Sequence, residues 1–352
     1  MVVGSGLLRR AKAALCFSSS QTRVLEAAAQ NGELTLHNFH VSDRSFSLVQ
    51  IPGGSFRTWH LNGPVGSQTR DAYQLFSGSG KLLPVSGSDH AAKGGIGSSF
   101  AVADPPSSKS SIQMGFCLEP WYGNFYHWLI WCAPRLLLLH HTLGVTNFYF
   151  PLGASRYPFI VQTMTLLGLN SDAIVEVPVG FHEAHTVAAV QDFVPHYSVY
   201  SLIAKCAVDA SPFGLEHNTV RGYYLTRGDD VSNPRELANE DQIVEICRLQ
   251  GLIALNPASL ALAEQIRLFS SVSLLVGIHG AALSNMVWLP KGSHVLEIIV
   301  DDAQHFKTLA AQLGHSWIGI PSEVSSVAHH QPRLSVNPEF FKLGVEMALS
   351  QL

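Results

Sequence analysis

Gly277-Ile278-His279-Gly280-Ala281-Ala282-Leu283-Ser284-Asn285, preceded by Ser273-Leu274-Leu275-Val276, is the stretch on which the fold turns. A strand-prone apolar run enters a glycine, a histidine, a second glycine and then small residues suited to a helix start. The segment therefore reads as strand, tight turn and helix N-terminus. The first amides of a helix have no partner within it and lie at the positive end of its dipole, which suits them to phosphate oxygens. Gly280, with no Cβ, is expected to let a ligand approach the backbone closely. The pattern is not the G-x-G-x-x-G fingerprint of dinucleotide-binding folds, and many such turns are only compact α/β connections. Two features favour a site: His279 in the turn, and the sequence that follows. Trp288-Leu289-Pro290-Lys291-Gly292-Ser293-His294-Val295-Leu296-Glu297-Ile298 gives a turn and then a second apolar strand carrying one acid, Glu297.

Working upstream, Tyr223-Tyr224-Leu225-Thr226-Arg227 is a strand ending in a cation, followed by the turn Gly228-Asp229-Asp230. Arg235, Asn239 and Glu240 head a helix whose apolar face is Ile243, Val244, Ile246 and Cys247. A strand over 252–255 and a helix over 260–269 complete the alternation before the central turn. An arginine at the carboxyl end of a strand faces the same crevice as that turn, although a surface ion pair is an equal alternative on position alone. No D-x-D motif occurs here, which argues against the Mg²⁺ or Mn²⁺ clamp of some sugar-nucleotide enzymes.

In the first half, a strand over 111–118 leads through Glu119-Pro120-Trp121-Tyr122-Gly123 into a helix beginning Asn124-Phe125-Tyr126-His127-Trp128. Asn124 is a good N-cap, and the apolar run through Leu139 is too continuous for a surface helix. A single histidine on a buried helix is commonly a core residue. The cluster of Asn124, Tyr126, His127 and Trp128 at a helix start beyond a strand end points instead to a ligand crevice. A strand over 147–150, a helix over 157–169 and strands over 173–177 and 186–190 make this half Rossmann-like. A partly helical connection over 194–213 follows. Nearer the start, 46–51 and 56–61 read as short strands, while the Gly/Ser/Pro-rich 77–111 is open between a loop, a pair of strands and a flap.

The chain of 352 residues is long enough for two domains with proper cores, and 47% hydrophobic against 14% charged residues describes well-covered sheets. A net charge of −4, with no Lys/Arg cluster beyond Arg9-Arg10, offers no field for a nucleic-acid backbone. Five scattered cysteines without a C-x-x-C pair read as reduced core thiols. Leu7-Leu8 followed by two arginines lacks the order and length of a signal peptide, and no apolar run is long enough to span a membrane. The expectation is a soluble, cytoplasmic protein.

Asn124-Phe125-Tyr126-His127-Trp128-Leu129 with Pro134-Arg135, Tyr224-Leu225-Thr226-Arg227 with Arg235 through Glu240, Glu264-Gln265-Ile266, Gly277 through Asn285, and Pro290, Gly292 and Glu297 resemble glycosyltransferase family 61 in order and spacing. The resemblance covers about residues 116–298. It implies a GT-B-like α/β fold of two facing Rossmann-like domains: residues 1–210 on the acceptor side, 211–335 binding a nucleotide sugar, and a helix over 336–352 packing back on the first domain. It also implies inverting sugar transfer. Lacking an N-terminal anchor, the chain is similar to the bacterial members linked to capsular or surface polysaccharide synthesis. The partners expected are a nucleotide-sugar donor and a glycan or lipid-linked glycan acceptor, with peripheral membrane contact open and no cofactor or metal. The donor-side residues expected are Arg227, His279, Gly280, Ala281, Asn285 and Glu297. Arg227 and His279 would face the diphosphate, and Glu297 would accept from ribose hydroxyls or the turn backbone. Asn124, Tyr126 and Arg235 are expected to line the cleft. Relatives place an acid four positions after the motif histidine; here that position is Trp131. His127 therefore becomes the candidate catalytic base, with Glu119 as runner-up. Two other classes stay open at this stage: a nucleotide-sugar-binding protein without catalysis, and a nucleotide-cofactor oxidoreductase.

Overall fold

The computed structural model describes residues 19–41, 44–61, 70–83, 108–119, 121–178, 180–191, 193–209, 220–227, 237–300, 302–328 and 331–352. After helix α1 (Ser19–Gln30), seven strands follow: β1 (Thr35–Val41), β2 (Arg44–Pro52), β3 (Ser55–Leu61), β4 (Arg70–Phe76), β5 (Leu82–Leu83), β6 (Ser108–Lys109) and β7 (Gln113–Phe116). The expected strands near 46–51 and 56–61 fall inside β2 and β3. Next come α2 (Phe125–His127), a π turn (Trp128–Cys132) and α3 (Ala133–Leu143), then β8 (Phe148–Pro151), α4 (Pro158–Leu166), β9 (Ile174–Val177), β10 (Gly180–Glu183), β11 (Thr186–Gln191) and α5 (Tyr197–Asp209).

The chain divides into two compact units, and it passes between them several times. The first comprises Met1–Gly123, Trp131–Tyr157 and Leu169–Val194; the second comprises Asn124–Ile130, Pro158–Gly168 and Pro195–Leu352. The division cuts through the π turn. In the first unit a six-stranded sheet has the order β1-β2-β11-β7-β8-β9. Its β11, β7, β8 and β9 are parallel, and β1 and β2 extend it antiparallel. A second sheet, β5-β4-β3-β10-β6, packs on it through Phe56, whose ring lies 4.8 Å from Phe116 and 5.6 Å from Tyr149. Residues 133–139 of α3 are all buried, as their unbroken apolar character requires.

The second unit holds β12 (Gly222–Leu225), α6 (Glu240–Leu249), β13 (Leu252–Leu255), α7 (Leu262–Phe269), β14 (Leu274–Ile278), β15 (His294–Ile299), α8 (His305–Leu313), β16 (Ser316–Pro321), the hairpin β17 (Glu323–Ala328) and β18 (Gln331–Ser335), and α9 (Pro338–Ser350). Five strands form an all-parallel sheet in the order β13-β12-β14-β15-β16. Side chains alternate across it. Tyr224, Val276, Ile278, Leu296, Ile298 and Ile320 face a core shared with α6 and α9, where Ile243, Cys247, Phe341, Val345 and Ala348 are buried. The apolar face of the last helix completes this core. A Cβ on Gly344 would meet the Ile320 side chain at 2.7 Å, so the glycine lets α9 lie close on the sheet.

On the opposite face, α8 packs on β16, and the segment after Gly280 packs on β14 and α7. That segment is a 3-10 helix, Ala281–Trp288, where an α-helix start was expected. The reason is local. Ser284 and Asn285 turn their side chains onto the carbonyls of Ala281 and Ala282, three residues back, and hold the tighter winding. The Tyr200 hydroxyl of α5 donates to the Ile130 carbonyl of the π turn at 2.9 Å. The buried Trp128 indole donates to Thr163 Oγ1 at 2.9 Å. No helix of the described residues is long and apolar enough to cross a membrane.

Candidate functional site

In a doubly wound sheet, ligands gather beyond the carboxyl ends of the strands where strand order reverses. Here the order places that point between β12 and β14. β12 runs out into Thr226-Arg227 and β14 into His279-Gly280. The two exits are tied together, because Arg227 Nη2 donates to the His279 carbonyl at 2.8 Å. Gly280 has an extended backbone, φ 167°, which any residue adopts. Its missing side chain is needed for another reason: a Cβ there would lie 2.0 Å from Arg227 Nη2. The space over this glycine thus holds the guanidinium, where the sequence reading kept it for a ligand. Beyond it, the amides of Gly280, Ala281 and Ala282 find no acceptor among the described residues, which leaves three successive donors at the crevice.

The next layer is built around Glu297. It sits on β15 between Gly277 of β14 and Gly319 of β16 and is 1% exposed. A carboxylate this deep needs a donor for each oxygen. His279 Nδ1 lies 2.5 Å from Oε1, and Trp317 Nε1 donates to Oε2 at 2.7 Å. With Glu297 as a carboxylate, the imidazole donates through Nδ1–H and turns Nε2 away from the pair. Both oxygens are thereby engaged within the protein, whereas the sequence reading gave Glu297 to ribose or to the turn backbone. Trp317 reaches Glu297 across Gly319, where a Cβ would meet Cη2 at 2.4 Å. Lys307 Nζ covers the indole face, 5.1 Å from the ring centre.

The His279 ring meets His305 and Phe306, at the start of α8, edge to face with centroids 4.6 and 5.1 Å away. Tyr126 packs on the same two rings, at 5.4 Å from each, and stands 5.2 Å from His127. The second unit therefore links Tyr126, with His127 beside it, to His279 through two residues that sequence reasoning missed, His305 and Phe306, and His279 in turn meets Arg227. Trp317 was missed too. Its only sequence trace is a tryptophan two residues before a glycine on a strand, a pattern too common to single out. Asn124 caps α2, its side chain accepting from the Tyr126 amide at 2.9 Å. Asn285 is fully buried and bonds to its own turn. Arg235 lies outside the described residues.

Glu119 belongs to the first unit and is 8% exposed. The nearby Cys132 thiol reports its surroundings. Burial pushes that thiol well up, the charges of Glu119 and Cys117 push the same way, and Arg135 opposes them. Glu119 thus sits in a buried cluster with a cation, not in a solvated loop. Trp131 also falls in the first unit, edge-on to Phe193 at 6.3 Å. Cys117 and Cys247 are pushed up to about 12 by burial, which makes them inert core thiols. Among the described residues, no group of three or more His, Cys, Asp or Glu side chains is placed to hold a metal ion.

The second unit buries another histidine. His315 is 7% exposed and donates through Nε2 to the Met286 carbonyl at 3.1 Å. Burial pushes it down to about 4, and the neighbouring His294 adds to the effect.

A family model, Glycosyltransferase 61, matches residues 125–296. It takes in Tyr126, His127, Arg227, His279, Gly280 and Asn285, and stops one residue short of Glu297. No curated protein matches the chain.

Proposed function

We propose, on the match of residues 125–296 to the Glycosyltransferase 61 family model, that the chain transfers a sugar from a nucleoside-diphosphate donor to a hydroxyl acceptor, inverting the anomeric centre and using no metal ion. The observation that carries the donor half is the reversal point of the parallel sheet, where Arg227 and three amides without an acceptor among the described residues meet His279. Diphosphate departure needs stabilisation of developing negative charge, and a cation with fixed backbone donors supplies it without reorganisation. Inversion needs a base for the acceptor hydroxyl. His127 takes that role in our reading, because it shares with Tyr126 the cluster that reaches His279, whereas Glu119 lies in the first unit beside a buried cation.

The arrangement proposed is GT-B-like, with the nucleotide held mainly by the second unit. The setting proposed, supported by the sequence resemblance, is cytoplasmic synthesis of a bacterial surface polysaccharide on a free or lipid-linked glycan.

Calorimetric titration with UDP, GDP, CDP and ADP tests the donor site. One of them should bind in EDTA, and Arg227→Ala should weaken it by about 1.5–3 kcal/mol, the usual range for a charge-assisted contact. Equal affinity in the folded variant would remove Arg227 from the diphosphate. Transfer that stops in EDTA and resumes with Mn²⁺ would overturn the metal-free mechanism.

A further inference from the structure

We infer that Trp317 is a positioning residue for His279, acting through Glu297 to fix which ring nitrogen faces the ligand. The inference rests on the reading of His279 as a diphosphate-binding group. An indole N–H can only donate, so its bond at 2.7 Å commits Glu297 Oε2 and leaves Oε1 for the imidazole. The imidazole therefore meets the carboxylate through Nδ1, and Nε2 is the nitrogen directed away from it. A carboxylate behind a histidine sets tautomer and ring orientation in this way wherever the other nitrogen must meet a metal or a substrate.

Three features show that the indole is built into this position. Gly319 leaves room for the ring, since a Cβ would stand 2.4 Å from Cη2. Glu297 pairs directly with Gly319 on the neighbouring strand, so the indole lies diagonally across from it at the reach its N–H requires. Lys307 covers the outer face of the ring at 5.1 Å. A tryptophan that only filled space would need none of these to be aimed at a carboxylate oxygen. Glu297 and Trp317 both lie past the end of the family match, which stops at residue 296.

The test compares Trp317→Phe, which keeps a ring but loses the N–H, with Glu297→Gln and the double variant. In the ligand-free protein labelled with ¹⁵N-histidine, two-bond ¹H–¹⁵N correlation reads which ring nitrogen carries hydrogen, and loss of signals in His279→Gln identifies the residue. Wild type should show Nδ1 protonated, and Trp317→Phe should show exchange between tautomers with the melting temperature within a few degrees. The bound nucleoside diphosphate should weaken about tenfold in Trp317→Phe and no further in the double variant than in Glu297→Gln, because residues acting in series are not additive. An unchanged tautomer in Trp317→Phe, or additive losses in the double variant, would overturn the inference. Should wild type bind none of the four nucleotides, the donor reading fails, while the tautomer measurement still decides the role of Trp317.

Discussion

His279 and His315 are buried in the same unit to a similar depth, yet their surroundings give them opposite characters. His315 has one carbonyl and a second histidine beside it, so burial goes uncompensated and holds it neutral down to about pH 4. His279 has a carboxylate with its own donor behind it, and the rings of His305 and Phe306 in front. Depth alone therefore does not mark a functional histidine. What separates the two is whether the ring has a carboxylate partner that is itself held in place.

The largest effect should come from a third histidine. His127 is half-buried at the end of α2, and His127→Ala should lower transfer by roughly 10²–10⁴-fold, the usual contribution of a general base. Diphosphate affinity should stay within about threefold, as the proposed role on the acceptor requires. Comparable turnover would exclude it, and a matching loss in Glu119→Gln alone would move the role to the first unit.

His315 should dominate the acid limb of stability. Its folded value lies below the ordinary value near 6.5, so the unfolded chain takes the proton more readily. Stability is then full above about pH 6.5, falls as pH drops through that value, and has lost on the order of 3 kcal/mol near pH 4. His315→Gln, whose amide can still donate, should flatten that slope in urea titrations at stepped pH. An identical slope would mean that the contrast with His279 is not one of uncompensated burial.

Gly280→Ala probes the other histidine from its backbone. The added methyl displaces the guanidinium from the His279 carbonyl, and nucleotide affinity should fall by about 1.5–3 kcal/mol, as for loss of a charge-assisted bond. If calorimetry instead shows affinity preserved, Arg227 is not held in place by this turn. The smallest effect is at Asn124. Losing the cap in Asn124→Ala should cost about 1 kcal/mol, while Asn124→Ser should restore most of it. A serine variant as impaired in transfer as the alanine would show that this side chain touches substrate.

Much of the second unit was legible because its strands are continuous apolar runs ending in distinctive residues. Arg227 and His279 could be named from position, since each follows a strand end that must open on the same crevice. Partners set by register between strands were not legible. Glu297 meets Trp317 only because β15 and β16 pair as they do, and nothing in the intervening residues encodes that distance. Gly280 misled for a related reason, as the group needing its space comes from 53 positions earlier. The 3-10 winding after it was hidden because Ser284 and Asn285 suit several turn geometries until their carbonyl partners are known. In the first half the parallel strands were recognised and 46–51 was read as a strand, but β1 was not, and the antiparallel pairing of β2 with β11 joins residues far apart in the chain.

The placement of α9 governs when the protein can become functional during synthesis. The second unit begins with Asn124–Ile130, yet its core is closed by Phe341, Val345 and Ala348. Until residues 338–350 have been made, Leu296, Ile298 and Ile320 lack the cover that α9 adds to that of α6. Closing contacts over such sequence distances is slow and leaves apolar strands open in the meantime. The segment carrying His127 is thus translated early and waits, through roughly two hundred further residues, for the rest of the unit it belongs to. A nascent chain stalled in that interval would present partly covered parallel strands to chaperones.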